Sequence, residues 1–124
     1  MKFLITALLL IGAPLLACPK LDNTQPFKTE TNDAPRLYHA PIEPPISEPF
    51  DLMLILCDAP KTAKLKFDAI MPAHQHGMNY EASITSIEDN QFTVSNVVFH
   101  MPGLWEMRVT LDETHHYTAE IQVK

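Results

Sequence analysis

The chain has 124 residues, 46% of them hydrophobic and 19% charged, with nine Lys and Arg against fifteen Asp and Glu. That length supplies one domain with one core and not two. A net charge of −6 repels phosphate backbones, which argues against nucleic acid as a partner.

Met1 and Lys2 precede an apolar run from Phe3 to Leu16 that has no acidic residue and leads into Ala17 and Cys18. One early positive charge followed by an apolar stretch is the plan of a removable export signal. At about 14 residues, interrupted by Gly12 and Pro14, the run falls short of the about 20 that a spanning helix needs. Leu15-Leu16-Ala17-Cys18 resembles a lipobox, which implies cleavage after Ala17 and lipid on Cys18; ordinary cleavage at the same bond and an accidental cysteine are the alternatives. Pro19 follows, rather than the aspartate that resembles an inner-membrane retention signal. The expected location is therefore the cell envelope, facing the periplasm, with a lipid anchor in the outer membrane if the cell is Gram-negative. Removal of residues 1–17 leaves 107 residues with eight basic against fifteen acidic side chains, a net charge of −7. With lipid on Cys18, Cys57 has no partner and reads as a small buried apolar residue at a strand end. A Cys18–Cys57 disulfide is the competing reading.

Residues 18–36 are polar and mixed in charge with one aromatic, so they cannot bury enough surface to fold alone. They read as a lipidated N-terminus and disordered tether with a reach of roughly 20–25 Å. From Tyr38 to Pro49 four prolines (41, 44, 45 and 49) allow only an edge strand or an extended lead-in. Beyond Pro49 the apolar period is two. Phe50, Leu52, Leu54 and Leu56 alternate with Asp51, Met53, Ile55 and Cys57, and Leu65, Phe67, Ala69 and Met71 alternate with Lys64, Lys66, Asp68 and Ile70. Tyr80, Ala82 and Ile84 form a shorter set. Phe92 and Val94 start a strand whose apolar phase changes near Asn96 to Val97, Phe99 and Met101, predicting a bulge. Trp105 to Leu111 and Tyr117 to Val123 complete six strands, with a seventh available in the proline-rich lead-in. Short strands with turn-like connections and no helical window predict an all-β, immunoglobulin-like antiparallel sandwich of about seven strands over 37–124.

Chemistry concentrates in Met71-Pro72-Ala73-His74-Gln75-His76-Gly77-Met78 and in His100-Met101-Pro102-Gly103. Each strand of an antiparallel sandwich reverses direction, so the loop after 62–71 and the turn after 91–101 emerge at one pole. His115 and His116 emerge at the other. His74, His76, Met78, His100 and Met101 are thus the candidate ligands, with Pro72 stiffening the loop and Gly77 free to take positive φ. Imidazole with thioether selects copper, and thioether favours Cu(I) over Zn(II). A site without carboxylates or paired cysteines is poorly suited to calcium or structural zinc. The competing reading makes Met71 and Met101 core residues and leaves the histidines bonded to carbonyls or solvent. His115 and His116 read as a solvated turn.

The order of Pro49-Phe50, MPAHQHGMN (71–79) and FHMPGLWEMRV (99–109) resembles the YtkA-like family, related to the domain of FixH proteins, over about 38–124. The resemblance implies an immunoglobulin-like sandwich and, for some members, copper handling or assembly of copper-containing respiratory oxidases. Unlike FixH, this chain lacks a spanning helix. Two classes of function follow: an envelope lipoprotein that stores or delivers Cu(I) to or from another envelope protein, and a metal-free interaction module whose histidines act structurally or as pH-sensitive contacts. An acidic pair, a serine elbow and an open three-ligand zinc pattern are all missing, so the chain does not read as an enzyme.

Overall fold

The computed structural model describes Cys18 and residues 22–59, 62–88 and 90–124. The export signal expected over 1–17 lies outside the described residues. Among the described residues there is no helix, and the strands are β1 (Gln25–Pro26), β2 (Lys28–Thr29), β3 (Leu37–Ala40), β4 (Phe50–Leu56), β5 (Leu65–Met71), β6 (His76–Gly77), β7 (Ser83–Glu88), β8 (Gln91–Val97), β9 (Gly103–Leu111) and β10 (His115–Val123). They form two five-stranded sheets in the orders β1-β3-β4-β8-β7 and β2-β10-β9-β5-β6, every pairing antiparallel. The fold is a β-sandwich.

Alternation dictates the register. In β9 and β10 the inward sets Trp105, Met107, Val109, Leu111 and Tyr117, Ala119, Ile121, Val123 are all buried. They pair directly, Trp105 with Ile121, Met107 with Ala119 and Val109 with Tyr117. A slip of one residue would turn each set toward solvent, forfeiting about 1.5–3 kcal/mol for each large side chain exposed. The other sheet supplies Leu52, Leu54, Phe92, Val94 and Val97 to the same core. The expected bulge in β8 is present: pairing shifts from Leu52 opposite Val94 to Phe50 opposite Val97, and Asn96 takes a φ of 65°. The extra residue carries the apolar phase over to Val97 and Phe99.

Three expectations are corrected. The strand expected from Tyr80 begins only at Ser83, because residues 78–82 carry the chain from β6 in one sheet to β7 in the other. The stretch expected to be a free tether is built into the sandwich. Gln25 and Pro26 pair with His39 and Tyr38 on one sheet, while Lys28 and Thr29 pair with Thr118 and Tyr117 on the other. Phe27, between them, is buried, and its N–H donates to the Leu37 carbonyl at 2.8 Å. Tyr117 donates its hydroxyl to the Pro35 carbonyl. Low hydrophobicity prevents such a segment from folding by itself, but two apolar side chains, Phe27 and Ala34, suffice to dock it on a core that already exists.

The third correction concerns Cys57, which has a partner after all. Its N–H donates to the Arg36 carbonyl at 2.8 Å, and Cys18 lies beside it. The two cysteines form a disulfide with Cα atoms 5.4 Å apart, inside the usual range. One sulfur can carry a disulfide or a lipid thioether but not both.

Candidate functional site

The loop after β5 is a hairpin. The Met71 carbonyl accepts from the N–H groups of His74 and Gln75 at 3.1 and 2.8 Å, and β6 turns back so that His76 lies opposite Met71. The expected positive φ at Gly77 is not found: Gln75 takes the left-handed conformation, at φ 53°. Gly77 is instead a strand residue, where an added Cβ would sit 3.4 Å from the Ala69 carbonyl oxygen.

Directly opposed residues of an antiparallel pair share a face. Met71 points inward and is 2% exposed, so His76 must point inward too. The β5–β9 register, which runs to Ile70 opposite Glu106, brings Met71 level with Trp105. His76 accordingly lies over the indole, ring centres 5.9 Å apart. His100 follows the last inward residue of its segment, Phe99, and reaches the same place from the other sheet. Its ring centre is 5.2 Å from that of His76 and 5.4 Å from that of Trp105. The two imidazoles are tilted by 34° to each other, and both meet the indole edge to face, at 70° and 76°. Trp105 is held from below by its Nε1–H, which donates to the Met101 carbonyl at 3.0 Å.

Two features prepare this pair for a ligand. His76 Nδ1 lies 3.2 Å from the Gly77 carbonyl oxygen. Donation from Nδ1–H to that carbonyl leaves the lone pair of the neutral ring on Nε2. His100 Nδ1 is buried without a hydrogen-bond partner, a cost of about 1–3 kcal/mol unless something meets it.

The other expected ligands stand differently. His74 is exposed at the hairpin tip, its ring centre 5.7 Å from that of His76. Met78 and Met101 are half-buried and packed against the core. Met71 is core, with its terminal methyl over Gly103, where an added Cβ would fall 2.8 Å from it. His115 and His116 sit at the start of β10, opposite Leu111 and Thr110 at the far end of β9. His116 Nδ1 is 3.5 Å from the Thr110 hydroxyl. Among the described residues no three His, Cys, Asp or Glu side chains are placed to hold one metal ion. The residues present offer a soft ion two adjacent imidazoles, those of His76 and His100.

Trp105 and His39 were not singled out by sequence reasoning. Trp105 was legible as an inward strand residue, but its place beneath the histidines follows only from the cross-strand register. His39 alternates inward behind Leu37 on β3 and is fully buried, edge-on to Phe27 at 5.2 Å. Burial pushes its pKa below the ordinary histidine value, and the Pro41 backbone opposes this in part, although neither ring nitrogen completes a hydrogen bond. Comparison with known protein families, curated proteins and solved structures finds no match.

Proposed function

We propose that this chain is an envelope carrier for Cu(I), held at the pole of the sandwich by His76 and His100 and exchanged with another envelope protein. The observation that carries this reading is the close pair of imidazoles, one with its Nδ1 beside the Gly77 carbonyl and the other with a buried, unpartnered Nδ1. Zinc takes four ligands in structural sites; a soft ion content with fewer donors is the better match for two imidazoles. The motif resemblance to YtkA-like proteins points the same way. Lipid on Cys18 is not part of this proposal, since the Cys18 sulfur is joined to Cys57. The Cys18–Cys57 end of β4 is the pole opposite His100.

The test is Cu(I) affinity by competition with a chromophoric chelator at pH 7.5. His76→Ala combined with His100→Ala should weaken binding at least tenfold, about 1.4 kcal/mol; unchanged affinity would refute the assignment. A second reading, a metal-free interaction module, is the one in which the paired imidazoles of His76 and His100 serve only to pack over Trp105. It requires that the parent protein bind Cu(I) no better than this double variant.

A further inference from the structure

The three histidines of this pole form a series and not a cluster. His74 is exposed at the tip of a four-residue hairpin loop, His76 is half-buried, and His100 turns a buried Nδ1 inward. Ring centres are 5.7 Å apart from His74 to His76 and 5.2 Å apart from His76 to His100. Among the described residues the His74 ring meets His76 but makes no such contact with His100. His76 is therefore the shared neighbour, and the backbone makes it so: cross-strand pairing with Met71 fixes it inward, while the tight turn at Gln75 throws His74 outward.

We propose that His74 is an outer, transient ligand that captures the soft ion from solvent and hands it through His76 to the inner His76–His100 pair. This rests on the copper reading above. With metal–nitrogen bonds of about 2.0–2.1 Å, adjacent imidazoles at these spacings can share an ion, so each new bond forms before the old one breaks. The ion first gains the His76 nitrogen while still on His74, then gains the His100 nitrogen as the His74 bond breaks. No electron is transferred and the neutral rings give up no proton. An ion meeting the inner pair directly would have to shed its solution ligands with nothing to replace them. The outer histidine removes that barrier in both directions, so it governs rate and not equilibrium.

The experiment uses the whole chain, with Ag(I) as a redox-inert soft probe in chloride-free buffer at pH 7.5. Trp105, the only tryptophan in the chain and in contact with both inner rings, reports binding by stopped-flow fluorescence. His74→Ala should slow association and dissociation together, each at least fivefold, and leave Kd within about twofold. His74→Met, which restores a soft donor, should recover most of the rate, whereas His74→Lys should not. Unchanged rates in His74→Ala would overturn the proposal. So would faster dissociation with a proportionate rise in Kd, which would make His74 an equilibrium ligand. These failures leave the inner site standing. If the His76→Ala, His100→Ala double variant keeps full affinity, the inner site itself is wrong and the relay falls with it. An exposed loop side chain is worth little to stability, so His74→Ala should fold as the parent does, which its circular dichroism checks.

Discussion

Breaking the Cys18–Cys57 crosslink should cost the fold about as much as any single change available in it. The cysteines are 39 residues apart in sequence, and closing a loop of that length restricts the denatured chain by about 13 cal/mol/K, or about 3.9 kcal/mol at 25 °C. Domains of this size are stable by only about 5–15 kcal/mol, so the loss is a large fraction of the total. The perturbation is Cys57→Ala, compared with the parent in oxidised and reduced form by urea denaturation. The midpoint should fall by roughly 2 M or more, and the slope should rise because the uncrosslinked denatured chain exposes more surface. Hydrogen exchange should place the earliest opening in the arm over 22–36, whose hold on the core includes Phe27, Ala34, the Tyr117–Pro35 hydrogen bond and short strand pairs. Intact mass and thiol titration of the protein isolated from its native cells decide the fate of the sulfur. One free thiol with a lipid adduct on Cys18, and identical denaturation with and without reductant, would refute the reasoning.

Gly103→Ala should destabilise by about 1–3 kcal/mol, measured by urea midpoint, because φ is 132° there and the new Cβ would also displace the Met71 methyl; a variant as stable as the parent would show that this backbone is unstrained. Tyr117→Phe removes the donor to the buried side of the arm and should cost about 1–2 kcal/mol, with exchange rising over 22–36 before it rises in β9. His39 favours its neutral form in the fold, so the unfolded chain binds more protons below its ordinary pKa. The stability this provides is complete above pH of about 6.5 and drains away as the pH falls below that value, by up to about 1.4 kcal/mol per unit. His39→Leu should flatten the pH 7 to 5 dependence of the urea midpoint, and an unchanged slope would assign it to other groups.

The elements that were legible in the sequence are those whose partners are implied by period alone. Alternation from Trp105 to Leu111 and from Tyr117 to Val123 admits one inward face each, and direction reversal then places both histidine segments at one end. What the sequence could not show depends on pairing between distant residues. The inward turn of His76 is decided by its register against Met71, and the role of Trp105 by the next position in the same row. The arm escaped notice because composition judges whether a segment folds alone, while Phe27 needs only a gap at the side of the sandwich. Cys57 was readable as a strand end but not as the partner of Cys18, 39 residues away.

The two chemically distinctive ends of the molecule are held apart by the strands between them. β4 runs seven residues from Phe50, which packs on Phe99 beside His100, to Leu56, next to Cys57. At about 3.3 Å per residue this is roughly 20 Å. The Cys18–Cys57 crosslink acts at the end remote from the imidazoles. The rings are oriented by β5, β6, β9 and the end of the β8 segment, none of which the arm pairs with. Stability and ion affinity should therefore vary independently: Cys57→Ala lowers the first and spares the second, while His76→Ala with His100→Ala lowers the second. An affinity that fell with the crosslink would mean that the sandwich transmits strain along its length, and the separation of roles argued from topology would fail.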